Sequence, residues 1–192
     1  MNPPIPDYAE PFEGWRVWQV SSNGRDPRLR SVLQKTLWPP REELAAECLR
    51  RRILARVRGG RRHEAPDKAC ACGIYATSLE HLGSYLRGCG DHRTRFAFGR
   101  VHLWGTVIEC EQGWRASRAY PAEIMVPTAP QAGPAGIMAS PQPEFARARA
   151  EDIADALSCY AVPVVVLPRT PAEALDLVAH ERGRDGHIGS FR

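Results

Sequence analysis

The stretch from Phe96 to Tyr120 constrains the fold of this chain most. Val101-His102-Leu103-Trp104-Gly105-Thr106-Val107-Ile108 carries apolar residues at both parities. That pattern suits a strand buried on two faces, as in a small barrel. Gln112-Gly113 supplies a turn, and Trp114-Arg115-Ala116-Ser117-Arg118-Ala119-Tyr120 returns from it, so the segment reads as a β-hairpin. Gly105 inside the first arm predicts a bulge or a close backbone approach.

Other segments extend the β-rich reading. Gly14-Trp15-Arg16-Val17-Trp18-Gln19-Val20 is aromatic and β-branched and runs into the turn cluster Ser21-Ser22-Asn23-Gly24. Arg28 to Leu33 partly alternates and fits a returning strand, which Trp38-Pro39-Pro40 stops. A helix over 40–57 is predicted by Pro40 at its first position and Glu42 and Glu43 in its first turn. Leu44, Ala45, Cys48, Leu49 and Arg52 follow at helical spacing, and Gly59-Gly60 ends it. A second helix over 78–86 has Leu79, Leu82 and Leu86 on one side, and Thr77 with Glu80 fits a capping box. Near the C-terminus, Glu144 to Tyr160 is amphipathic and Val162 to Leu167 reads as a short buried strand. Thr170-Pro171-Ala172-Glu173 is a complete helix start.

The predicted fold class is α+β: a β-rich main domain, either a twisted sheet or a partly closed small barrel, with a C-terminal helix–strand–helix. The expected organisation is an N-terminal arm over 1–13, the β-rich domain over 14–126 and a Pro/Ala/Gly-rich linker over 127–143. A helix–strand–helix unit over 144–182 and a flexible tail over 183–192 follow. Whether the C-terminal strand joins the main sheet is left open at this level.

At 192 residues the chain is long enough to bury a real core. Its net charge of +4 is compatible with nucleic-acid binding without predicting it. No stretch has the apolar length of a membrane span, and the N-terminus lacks the basic and apolar regions of a signal peptide. The expected location is therefore the cytoplasm, with no membrane partner. Six cysteines in that compartment read as metal ligands, reactive thiols or core packing, not as disulfides.

One constellation carries chemistry. His63, Cys70 and Cys72 lie on a loop containing Pro66, and Cys48 lies upstream on the predicted helix. Three thiolates and an imidazole are the soft-to-borderline donors that tetrahedral zinc favours. Four protein ligands would close the site and make it structural; an open position would admit water and catalysis. The same residues also fit plain packing, with Cys48 in a core and Cys70 and Cys72 alternating beside a strand through Gly73-Ile74-Tyr75-Ala76. Of the other thiols, Cys110 falls at a strand end, Cys159 at a helix end, and Cys89 between glycines with His92 nearby.

A basic run, Arg50, Arg51, Arg52, Arg56, Arg58, Arg61 and Arg62, could face phosphates or simply form a solvated helix face. Trp15, Trp18, Trp104, Trp114 and Tyr120 could stack on bases, although aromatic residues in strands usually build the core. The chain has no G-x-x-x-x-G-K-[ST], no G-x-G-x-x-G after a strand, no G-x-S-x-G and no H-E-x-x-H.

Four segments together resemble a set of small bacterial proteins, mostly actinobacterial, that have no established activity. They are Gly14 to Trp18, His63-Glu64-Ala65-Pro66 leading to Cys70-Ala71-Cys72-Gly73-Ile74-Tyr75-Ala76, Val101 to Gly105, and Arg115 to Tyr120-Pro121. The resemblance covers roughly residues 12–125 and implies that Cys48, His63, Cys70 and Cys72 belong to one unit. The resulting expectation is a non-enzymatic binding or adaptor module stabilised by a structural zinc, with a protein or nucleic acid as partner. The alternatives are a metal- or thiol-dependent enzyme and a nucleic-acid-binding module that uses the basic run.

Overall fold

The computed structural model describes residues 10–21, 26–48, 63–88, 95–128 and 143–167. Among these, eight strands form one mixed sheet: β1 (Phe12–Ser21), β2 (Arg28–Ser31), β3 (Leu44–Ala45), β4 (Ile74–Thr77), β5 (Phe96–Cys110), β6 (Gly113–Pro121), β7 (Ile124–Pro127) and β8 (Val164–Leu167). Helix α1 spans Leu79–Gly88. Helix α2 spans Pro143–Leu157 and runs into a 3-10 turn at Ser158–Tyr160.

The long strand β5 organises the sheet. One of its edges pairs antiparallel with β1, from Phe12↔Leu103 to Gln19↔Phe96. The other edge pairs with β6 and then, through Phe98↔Met125, with β7. β4 lies against β6 and touches β1 at the single pair Trp15↔Thr77. The sheet thus curls back on itself as a strongly twisted surface without closing into a regular barrel. β2 extends it beyond β1, and β8 extends it beyond β7 as a parallel partner from Ile124↔Val164 to Pro127↔Leu167. The C-terminal strand therefore lies in the main sheet.

The bulge predicted at Gly105 is present. Pairing between β5 and β6 shifts register between Trp104 and Val107, and Gly105 has φ +75°. A Cβ on Gly105 would stand 2.2 Å from Ser117 Oγ, which instead accepts the Thr106 amide. The bulge re-aims the far half of β5, so that Val107–Cys110 pairs with Gly113–Ala116 and the start of β6 meets β4.

Alternation along the strands feeds two cores. Trp18 and Val20 join Leu29, Trp38, Val101, Leu103, Ala116, Ala119, Leu157 and Tyr160 in the larger one. Trp15 and Val17 point the other way and pack with Phe98 and Met125 under Leu82 and Leu86 of α1. Double-sided burial of β5 is thus real, through Ala97 on one face and Phe98 on the other. Trp18 and Trp38 meet edge to face, with ring centroids 5.6 Å apart.

Tyr160 pins the C-terminal segment to this core. Its hydroxyl accepts from the Leu29 amide at 3.0 Å and donates to the Trp38 carbonyl at 2.7 Å; its carbonyl accepts from Tyr120. Burial pushes the phenol up to about 12. Because the folded value lies above the unfolded one, near 10, this contribution to stability is full below pH 10 and is lost as pH rises toward 12. Tyr160→Phe orphans both backbone groups and is expected to lower unfolding free energy by about 1–3 kcal/mol, read by urea denaturation.

Two sequence expectations are corrected. Pro40–Cys48, the described part of the predicted 40–57 helix, is not helical. Leu44 and Ala45 pair with Ala119 and Arg118 of β6, and Arg41 sits at φ +63°. An available strand edge outweighs a helical spacing of apolar residues. Nor does Thr77 cap α1: its hydroxyl donates to the Gln112 carbonyl, and Ser78, one residue on, meets His81 at the helix start. The helix itself lies where expected. Residues 49–57, most of the 127–143 linker, the helix start at Thr170-Pro171-Ala172-Glu173 and the tail lie outside the described residues, as do residues 1–9 of the arm.

Candidate metal centre

Three chain segments converge at the candidate site. The first carries Cys48. It leaves β3 and is held by the Ala46 amide donating to the Ser117 carbonyl at 2.7 Å. The second is the loop from His63 to Cys72, which has no regular secondary structure. The third is β6 itself, through Arg115.

The loop is shaped by its own backbone. Asp67 Oδ1 accepts the Ala69 amide at 2.8 Å, and the Asp67 carbonyl accepts the Cys70 amide at 3.1 Å. The Asp67 amide in turn reaches the Cys72 sulfur. Gly73 then turns the chain into β4 at φ +122°, a left-handed conformation that glycine adopts without penalty. A Cβ there would press on Pro66 Cβ at 3.0 Å and Arg115 Cβ at 3.2 Å.

This brings Cys48, His63, Cys70 and Cys72 together, with all four potential ligand atoms within 4.8 Å of one another. Cys48 Sγ and Cys70 Sγ are 3.8 Å apart, and Cys72 Sγ lies 3.4 Å from His63 Nε2. Two sulfurs bound to one zinc at about 2.3 Å and the tetrahedral angle stand about 3.8 Å apart; a sulfur and an imidazole nitrogen stand about 3.6 Å apart. Both measured edges fit. The remaining edges, none longer than 4.8 Å, need contract by at most about 1.2 Å. Cys48 and Cys72 are buried, whereas His63 and Cys70 are partly exposed. The four residues lie close enough to bind a metal ion.

Burial pushes the Cys72 thiol up to about 11; the Asp67 amide opposes this, and the neighbouring Cys70 and Cys48 add to it. A bound divalent ion reverses that balance by stabilising the thiolates. Metal uptake must therefore displace at least the proton held by Cys72. Affinity is expected to rise with pH between 6 and 8, and heat of binding to vary with buffer ionisation enthalpy; pH-independent affinity would contradict this.

Arg115, which the sequence reading placed only in the hairpin, organises the ligand loop. Its Nη1 donates to the carbonyls of Asp67 at 3.4 Å, Cys72 at 3.0 Å and Cys70, while Nε reaches Cys110 Sγ at 3.3 Å. The guanidinium also lies 5.8 Å from the centroid of the Tyr75 ring, opposite it in register. The side chain is only 8% exposed, and the groups around it are carbonyl dipoles, sulfurs and a ring face. A zinc with three thiolates and one imidazole carries a net charge of −1, which would balance this buried cation. No local pattern separates Arg115 from the other arginines; only the β4–β6 register places it under the loop.

Arg50, Arg51, Arg52 and Arg56, with Arg58, Arg61 and Arg62, lie outside the described residues, as do Cys89 and His92. Trp15 and Trp18 are core residues, while Trp104, Trp114 and Tyr120 are half-buried. Cys110 ends β5 beside Arg115, and Cys159 lies in the 3-10 turn, 3.7 Å from Arg28 Nη1. Among the described residues, no helix is long and apolar enough to cross a membrane.

Fold and cluster together define a β-rich α+β protein with a candidate metal centre of three cysteines and one histidine. Comparison with known protein families, with curated proteins and with solved structures found no match.

Proposed function

We propose that this chain is a non-enzymatic binding or adaptor module in which a structural zinc holds the 63–73 loop and the segment around Cys48 against the sheet. The observation that carries this reading is the convergence of four soft-to-borderline donors within 4.8 Å of one another beside the buried Arg115. Four protein ligands complete a tetrahedral shell, which is the arrangement of structural sites and not of sites that activate water. Each of the two segments is short of regular structure and of large buried apolar residues, so a metal cross-link supplies what packing does not.

The partner in this reading is a protein or a nucleic acid. Salt-sensitive binding to generic DNA or RNA that disappears when Arg50, Arg51 and Arg52 are replaced favours nucleic acid; binding unchanged by those substitutions contradicts recognition through this basic run. The zinc itself is tested by elemental analysis of the purified protein. About one zinc per chain, removed by chelator with loss of folded structure, is the expected result. A chain that folds identically in chelator contradicts the proposal.

A further inference from the structure

We propose that the cluster also reacts with hydroperoxides: Cys70 is the oxidised thiol, Cys48 resolves it as a disulfide, and loss of the pair discharges the metal. This inference rests on the metal reading above and adds to it a redox-controlled release.

The assignment follows from exposure and anchoring. Cys70 is partly exposed, whereas Cys48 and Cys72 are both only 5% exposed. A small oxidant in solution therefore meets the Cys70 sulfur first. Cys48 Sγ lies 3.8 Å away. The two cysteines sit on separate segments docked on the same strand. Cys48 follows β3, which is paired with Ala119 and Arg118 of β6, and the Cys70 carbonyl is held by Arg115 of β6. Side-chain rotation and a small loop shift close that gap to a bond. A Cys70–Cys72 bridge would have to close across Ala71 alone, in a stretch where Arg115 holds both cysteine carbonyls and the Tyr75 hydroxyl holds that of Ala71.

The chemistry balances with one hydroperoxide. The Cys70 thiolate attacks a peroxide oxygen; an S–O bond forms, the O–O bond breaks, and the departing hydroxide (alkoxide from an organic hydroperoxide) takes a proton to become water or the alcohol. The Cys48 thiolate then attacks the Cys70 sulfenic sulfur; an S–S bond forms, the S–O bond breaks, and the second hydroxide leaves as water with a second proton. Two electrons pass from the two sulfurs to the peroxide. Cys72 and His63 remain as only two donors, too few to retain the ion against a chelator. The new bridge cross-links the same two segments, so the fold survives discharge, and a dithiol reverses it.

The test uses the full chain loaded with zinc, hydrogen peroxide as oxidant, a chromogenic chelator to read zinc and peptide mapping by mass spectrometry. About one zinc released per peroxide consumed, a peptide joining Cys48 to Cys70, and recovery on adding dithiothreitol and zinc are the expected results. Retained zinc with oxidation confined to Cys110 or Cys159, a Cys70–Cys72 bridge, or release with Cys70 carried to the sulfinic acid and no bridge would each overturn the inference and leave the metal reading intact. A chain that binds no zinc before peroxide is added overturns both.

Discussion

Cys72→Ser is expected to strip the chain of metal and unfold the 63–73 loop, with a loss of several kcal/mol of stability. Cys72 is buried, faces His63 Nε2 at 3.4 Å and receives the Asp67 amide. A serine oxygen is a poor ligand for zinc and sits too close to the backbone to replace a sulfur at about 2.3 Å. Structural zinc sites contribute about 10–16 kcal/mol of apparent binding free energy, and whole domains are stable by only about 5–15 kcal/mol. Losing even part of the first quantity consumes much of the second. Denaturant titration with parallel zinc analysis checks this. A variant that keeps one zinc per chain and wild-type stability would exclude Cys72 as a ligand.

Arg115→Met is expected to be nearly as damaging, although Arg115 is no ligand. Methionine keeps most of the volume of the arginine stem but leaves the Asp67, Cys70 and Cys72 carbonyls without their shared donor, the first two in a part-buried setting and the third in a buried one. Each orphaned carbonyl costs about 1–3 kcal/mol, less where water reaches it, so about 3 kcal/mol of lost stability is the central expectation. The substitution also removes the positive charge that balances an anionic zinc centre. Groups that orient ligands change metal affinity about 10–100-fold when lost. Arg115→Lys is expected to recover the charge but not the Nε contact to Cys110 Sγ or the planar group over the Tyr75 ring, and so to fall between the two. Competition with a chelator of known affinity measures the effect. Unchanged affinity in Arg115→Met would confine the residue to a packing role.

The parts of this molecule legible in its sequence are those set by local pattern. The hairpin, its turn at Gln112-Gly113 and the bulge at Gly105 were readable because period, turn residues and a lone glycine all act within a few residues. The first strand, its return at Arg28–Ser31 and the helix beginning near Ser78 were readable for the same reason. The four cluster residues were legible as donor chemistry, and the structure brings their ligand atoms within reach of one ion. What local pattern could not supply was long-range pairing. The segment around Leu44 has helical spacing, yet it docks as two residues of strand on β6, some 70 positions downstream, and Cys48 leaves from there. Arg115 was illegible for a related reason. Its role depends on the register Tyr75↔Arg115, which no property of Arg115 or its neighbours encodes. Trp38 and Tyr160 show the same limit: they meet across 122 positions, through one hydrogen bond deep in the core.

X-ray absorption at the zinc edge distinguishes the proposed closed site, with three sulfur ligands and one nitrogen ligand, from an open one. For the purified chain, a first shell fitted by three sulfurs at about 2.3 Å and one imidazole nitrogen at about 2.0–2.1 Å, with no oxygen, is the expected result. A shell with fewer than three sulfurs, or one containing a water oxygen, would contradict it and turn the cluster into an open centre.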